Sequence, residues 1–357
     1  MYIETDRLII RSMQETDGAA FMEMVADGSL NEDIFCGYEG DYHDWVKEWI
    51  AESILLDKEN NPNKEYLAYA IVKKSQAIPV GSIGCSFYEE SGEIGITYFI
   101  GTPYRGYGYA TEAVMTYTEY FFNHYDVLFL TASVRTENVA SCKVMEKAGF
   151  YLTETKMFQD FGDTQTKPYN FYRRNRHFYH VVTERPMHLG QHILFDETHH
   201  SGVYERVMEK ASLVETIYAH PEKYADTGLD YAGNYLEHHT TVALRELALE
   251  EVRKEKYPMY PSRLSCLYIS KTLSEAENWF AYFTELGRPT YQIVKLRVNG
   301  NVFAGDANKC FAGCPDKQIN LRLAERYWKN ETEPEQQPPV IEILVDGDIE
   351  VVEIIKE

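Results

Sequence analysis

One stretch constrains the fold more than any other: Glu93 to Ala113, EIGITYFIGTPYRGYGYATEA. Its first part alternates and branches like a β-strand. A turn with Pro103 follows, and then Arg105-Gly106-Tyr107-Gly108-Tyr109-Ala110 opens a helix. A strand, a glycine-containing loop and a helix N-terminus form an anion site, because the first-turn N–H groups have no carbonyl partners. Glycine lets the backbone come close to a phosphate. Taken alone, the same stretch also fits a strand–turn–helix junction that needs glycine only for its turn.

Bulk properties narrow the classes. A chain of 357 residues has room for two cores, and an apolar fraction of 44% with 28 tyrosines describes a folded protein. The formal charge of −21 is spread over both halves, which argues against nucleic acid as a bulk partner. The six cysteines, at 36, 85, 142, 266, 310 and 314, form no repeated pair. Reduced thiols in a cytoplasm are expected, and Cys310-x-x-x-Cys314 lacks the second half of a zinc motif. The N-terminal MYIETDRLIIRS has no apolar secretion core, and no run of 18 apolar residues occurs. Neither a signal peptide nor a membrane span is expected.

The first half reads as a strand at Leu8–Arg11, helices at 19–25 and 43–56, and a meander of three strands at 66–72, 80–88 and 94–100. After the opening stretch come the rest of its helix, a strand at 128–134, and a helix at 138–148 capped by Asn138 and stopped by Gly149. Two strands close this half, with Asp160–Thr166 as their loop. A meander that feeds a β-α-β unit places the glycine loop at the carboxyl end of a strand, where α/β sheets bind ligands.

These residues carry a resemblance. Residues 1–176 resemble the GNAT acetyltransferase superfamily, in the subgroup of ribosomal-protein alanine acetyltransferases. Glu4-Thr5-Asp6-Arg7-Leu8-x-x-Arg11 is typical of that subgroup. Arg105 to Ala110 matches the Q/R-x-x-G-x-G/A acetyl-CoA motif. Asn138-x-x-Ser141-x-x-x-x-Glu146-Lys147-x-Gly149-Phe150 matches the second signature. The resemblance implies that the N–H groups of Gly106, Gly108 and Ala110 hold the CoA pyrophosphate, with Arg105, Tyr107 and Tyr109 in the same loop and Asn138 against the CoA arm. It implies Ser141 as the acid near the sulphur, and an oxyanion met by backbone N–H near Tyr98 to Ile100. Glu93 is the candidate base, acting through water on the acceptor amine. A solvated Glu93, a back-bonding Ser141 and a merely capping Asn138 are the alternatives. The acceptor, a protein or a small-molecule amine, faces residues 15–57 and the 160–166 loop. Glu23, Glu32, Asp33 and Glu39 there either attract a cationic amine or form a solvated face.

The second half, 177–357, follows Tyr172-Arg173-Arg174-Asn175-Arg176 with no Gly/Ser linker. Strands are expected at 178–182, 264–269, 291–298, 302–304, 340–345 and 350–355. Helices are expected at 203–217, 241–254, 274–286 and 319–328. Asn299-Gly300 reads as a hairpin turn. Nine of the eleven histidines lie here, but His188-x-x-x-His192 lacks the H-E-x-x-H pattern and Gly190 interrupts it, so no metal is assigned. This half resembles a bacterial domain of unknown function that is similar to ADP-ribosyltransferase folds. The resemblance implies NAD, with His180 on the ribose, Tyr268 on the nicotinamide and Glu342 steadying an oxocarbenium-like centre. The alternative is three half-buried strand residues in a module that binds the acceptor without reacting. Arg263 serves a phosphate or a surface. The expected whole is a two-domain α/β (α+β) protein, a mixed, mainly antiparallel GNAT sheet followed by an α+β domain.

Overall fold

The computed structural model describes residues 1–26, 42–63, 66–88, 92–160, 163, 165–224, 235–330 and 338–356, with side chains 235–237 aside. Glu32, Asp33, Cys36 and Glu39 lie outside the described residues. The chain divides into two compact units, Met1–Arg176 and His177–Glu357.

The first unit runs β1 (Tyr2–Glu4), β2 (Leu8–Ser12), α1 (Gly18–Ala26), α2 (Tyr42–Glu59), β3 (Leu67–Lys73), β4 (Ile78–Tyr88), β5 (Glu93–Ile100), α3 (Tyr109–His124), β6 (Phe129–Arg135), α4 (Val139–Lys147), β7 (Tyr151–Phe158) and β8 (Lys167–Asn175). The strands form one eight-stranded sheet in the order β1-β2-β3-β4-β5-β6-β8-β7. All neighbours are antiparallel except β5 and β6. The period-2 rule shows why β3 reads as a continuous apolar run. Leu67, Tyr69 and Ile71 pack on the side of α3 and α4, while Ala68, Ala70 and Val72 pack against α1 and α2. Both faces are covered, so every β3 side chain before Lys73 is buried.

The second unit contains β9 (Phe178–Val182), β10 (His192–Phe195), α5 (Gly202–Met208), α6 (Ala211–Ala219), α7 (Tyr235–Lys256), β11 (Leu267–Ile269), α8 (Leu273–Glu285), β12 (Gln292–Asn299), β13 (Val302–Asp306), α9 (Lys317–Lys329), β14 (Ile341–Val345) and β15 (Gly347–Lys356). Its strands form two sheets, β10-β15-β12-β9 and β11-β14-β13. Two expectations are corrected. The helix expected over 203–217 is two helices, parted at Glu209 and Lys210. Asn299-Gly300 is not a hairpin, because β12 and β13 belong to different sheets.

That last correction has a physical cause. Gly300 and Gly347 are the corners at which the chain leaves one sheet for the other, and the two corners press together. A Cβ on Gly300 would stand 2.1 Å from the Asp346 carbonyl oxygen. Asn301 donates to both Asp346 carboxylate oxygens, at 2.7 and 3.2 Å, and accepts from the Asp346 N–H. The glycine serves close approach, not a two-residue turn. Gly300→Ala is therefore expected to destabilise the second unit by about 1–3 kcal/mol through overpacking. Calorimetry of the full chain should show its transition lowered; an unchanged transition would contradict the corner packing.

Candidate functional site

Strands β5 and β6 pair as parallel neighbours at Gly95↔Thr131 alone. On its other edge β5 stays paired with β4 as far as Ile100. From Ile96 onward β5 therefore parts from β6 and opens a wedge at the carboxyl end of the strand. Ile94, Ile96 and Ile100 lie in the core shared with α3 and α4, and Tyr98 packs against it. Phe99 points the other way, into the core of α1 and α2.

The wedge leads onto the glycine loop. A short 3-10 turn at Thr102–Tyr104 follows Gly101. Gly106 and Gly108 then take φ values of 83° and 81°, in the left-handed region that a side chain would strain. Gly108 is the N-cap of α3, and no side chain caps that end. The N–H groups of a helix's first turn have no carbonyl partners within the helix, so an anion is favoured at this end. Arg105 turns its Nε back onto the Ile100 carbonyl at 2.8 Å, which fixes the loop to the end of β5. Tyr107 is exposed, Tyr109 is buried, and their rings stack.

On the α4 side, Ser141 Oγ meets the Tyr98 hydroxyl at 2.8 Å. Burial pushes the Tyr98 phenol up to about 12, with the Ser141 bond pulling it down. The Tyr98 phenol therefore keeps its proton at neutral pH. Asn138 Oδ1 accepts from the Ser141 N–H at 3.1 Å, so its observed work is to cap α4. Cys142 is buried against Asn170 and is packing, as its helix position implies.

Glu93, at the start of β5, is not a lone solvated carboxylate. Arg173 Nη2 donates to it at 3.0 Å, and the same guanidinium lies 4.1 Å from the centre of the Phe129 ring. Nearby, Ser133 Oγ donates to Asp160 at 3.1 Å. Burial and then the Asp160 charge raise the Tyr88 phenol. Sequence reasoning missed the side-chain contacts of Tyr98 with Ser141 and of Arg173 with Glu93. The alternation of β5 was the only signal for Tyr98, since it puts that residue on the same face as Ile94 and Ile96.

In the second unit, His180, Tyr268 and Glu342 line one cavity of about 1110 Å³, together with Arg263, Trp279 and Arg288. His180 Nδ1 lies 2.8 Å from the Tyr268 carbonyl. A carbonyl only accepts, so Nδ1 carries the proton and Nε2 is left as an acceptor. Burial lowers the His180 pKa, which favours that neutral ring. Glu342 Oε1 accepts from Arg263 at 2.6 Å, from the Tyr327 hydroxyl at 2.7 Å and from the Cys310 thiol at 3.6 Å. Arg263 also pairs with Glu246 at 3.0 Å and is only 6% exposed. The expectation of a phosphate-binding or surface arginine is thus corrected: its guanidinium is taken up by two carboxylates. Cys314 donates to the Asp316 carbonyl. Among the described residues no group of three or more His, Cys, Asp or Glu side chains is placed to hold a metal ion.

Comparison with known proteins gives a family match in each unit. Residues 7–151 match the family described as Acetyltransferase (GNAT) domain. A relative in Bacillus subtilis, the uncharacterized N-acetyltransferase YnaD, is 29% identical over 153 residues, which is 42% of this chain and 82% of that protein. A GNAT-family acetyltransferase from Bacillus anthracis superposes with a TM-score of 0.42 at 20% identity, covering 49% of this chain and 98% of its own. RimL, a ribosomal L7/L12 alpha-N-protein acetyltransferase in complex with coenzyme A, does so with a TM-score of 0.41 at 16% identity, covering 49% and 98%. The first unit is a GNAT acetyltransferase domain, and the protein is an acetyltransferase. Residues 178–357, just over half of the chain, match the family described as Protein of unknown function (DUF2441), and the chain belongs to that family.

Proposed function

We propose that the first unit transfers acetyl from acetyl-CoA to a primary amine, at a protein N-terminus or on a small molecule, and does so in a cytoplasm. The observation that carries this reading is the wedge between β5 and β6 running onto the uncapped N-terminus of α3. In this reading Gly106, Gly108 and Ala110 offer their N–H groups to the pyrophosphate, with Arg105, Tyr107 and Tyr109 shaping the loop and Asn138 beside the CoA arm. The pantetheine arm lies in the wedge along the free edge of β5. The amine attacks the thioester carbonyl, the C–S bond breaks, and the sulphur takes a proton from Ser141, which recovers one from Tyr98, itself reprotonated by solvent. Backbone N–H near Tyr98 to Ile100 meets the oxyanion. Glu93, with its carboxylate engaged by Arg173, takes the amine's proton through water.

Release of free thiol from acetyl-CoA should appear with one or more members of a panel of amines and N-terminal peptides. Glu93→Gln should lower kcat/KM most at low pH, where few acceptor amines are deprotonated, and least at high pH. A variant equal to wild type across the profile would remove Glu93 from the mechanism. No helix among the described residues is long and apolar enough to cross a membrane.

For the second unit we propose NAD binding with transfer of ADP-ribose. The support is that His180, Tyr268 and Glu342 share one cavity. His180 Nε2 is an acceptor suited to a ribose hydroxyl, and the Tyr268 ring, 39% exposed, offers a stacking face. Bound NAD would supply the ADP-ribosyl group. Heat protection by NAD and release of nicotinamide support this; the absence of both favours the alternative, a module that presents the acceptor to the first unit.

A further inference from the structure

Arg7 is 105 residues away in sequence from Glu112, yet the two side chains meet beside the glycine loop. Arg7 Nε and Nη2 both reach Glu112 Oε2, at 2.7 and 2.5 Å, and the Arg7 N–H reaches Oε1 at 3.2 Å. Thr5 Oγ1 adds a bond to Oε1. Arg7 Nη1 donates to the Tyr107 carbonyl at 2.8 Å, inside the loop itself. Its guanidinium lies 4.9 Å from the centre of the Tyr109 ring. Burial alone would raise the Glu112 carboxyl; the Thr5 and Arg7 bonds outweigh it and hold the group below its usual range, so it is charged at neutral pH.

The chemistry of this contact concerns the donor. Glu112 is in the first turn of α3, and a carboxylate there is a favoured neighbour of a helix N-terminus. Left alone, Glu112 competes with a pyrophosphate for the same N–H groups and repels it. We propose that Arg7 is a positioning residue of the donor site. It draws Glu112 away from the N-terminus of α3, cancels its charge, and holds the Tyr107 carbonyl so that loop 105–108 keeps its N–H groups toward the phosphates. Arg7 acts through Glu112 and the loop. The inference rests on the acetyl-CoA reading.

The test measures CoA and acetyl-CoA affinity by titration calorimetry, with kcat and KM, on the full chain. Arg7→Ala should weaken CoA binding by about tenfold or more and raise the acetyl-CoA KM in step, with kcat at saturation nearly unchanged. Adding Glu112→Gln to that variant should recover most of the loss, because the competing charge is gone. Glu112→Gln alone should bind CoA as tightly as wild type or more so, and it tests the proposal even where Arg7→Ala folds poorly. A double variant as weak as Arg7→Ala, an unchanged Arg7→Ala, or a tenfold loss in Glu112→Gln overturns the inference. Wild type that binds neither CoA nor acetyl-CoA overturns the donor reading instead.

Discussion

Replacing Arg263 with methionine is expected to lower the stability of the second unit by about 3–5 kcal/mol, the usual consequence of stranding a buried charge. Arg263 has two carboxylates on it, Glu246 at 3.0 Å and Glu342 at 2.6 Å, and a bond from Nη1 to the Tyr327 hydroxyl at 2.8 Å. Glu246 has a second partner in Arg245 at 2.8 Å, so it keeps some compensation. Glu342 keeps only neutral donors among the contacts described here, Tyr327 and Cys310. Glu342 then either stays charged without a counter-ion or takes up a proton. For a unit of this size the loss corresponds to a melting transition lower by roughly 10 °C. Replacing Glu342 by Gln together with Arg263→Met should restore part of it, because the stranded charge is removed with its partner. Calorimetry on the full chain measures both; a lone Arg263→Met that melts like wild type would contradict the buried pair.

The second large effect is catalytic. Ser141→Ala should lower kcat for acetyl transfer by about 10²-fold, in the range a positioned proton donor supplies. KM for acetyl-CoA should change little, since the proposed pyrophosphate contacts are backbone groups elsewhere, in the loop before α3. Tyr98→Phe should lower kcat less, because Ser141 keeps its own hydroxyl but loses the partner 2.8 Å away. The double variant should be no slower than Ser141→Ala alone, as expected of groups that act as a unit. Steady-state kinetics with a fixed amine decide this. Full additivity of the two losses would mean that the hydroxyls act separately, and an active Ser141→Ala would take the acid role away from Ser141.

Local signals carried the first unit further than the second. The strands β3, β4 and β5 lie within two residues of their expected limits, because apolar runs of the right length end at Lys73 and at the turn before Gly92. Asn138 and Gly149 marked both ends of α4. Strand β1 was illegible: Tyr2–Glu4 is half-exposed and pairs only with β2, so no apolar alternation marks it. In the second unit, strands leave one sheet for the other at Gly300 and Gly347, and an Asn-Gly pair at a corner looks the same in sequence as one in a hairpin. Three-residue β11 gives no periodicity at all. The site shows the same division. The glycine loop is contiguous and was read directly. The contacts of Glu93 with Arg173 and of Tyr98 with Ser141 span 80 and 43 residues, and only the folded sheet brings them together.

The central claim is that the loop from Arg105 to Ala110 holds the acetyl donor. Titration calorimetry of the full chain with acetyl-CoA tests it most directly, against Gly108→Val. Valine at a φ of 81° is a strained outlier, so the variant must rebuild the N-cap of α3. The account predicts one site per chain for wild type, with a dissociation constant on the order of 10 µM, within the usual range for enzyme substrates, and loss of most of that affinity in the variant. Equal affinity in the two proteins, or no binding by wild type, would contradict it.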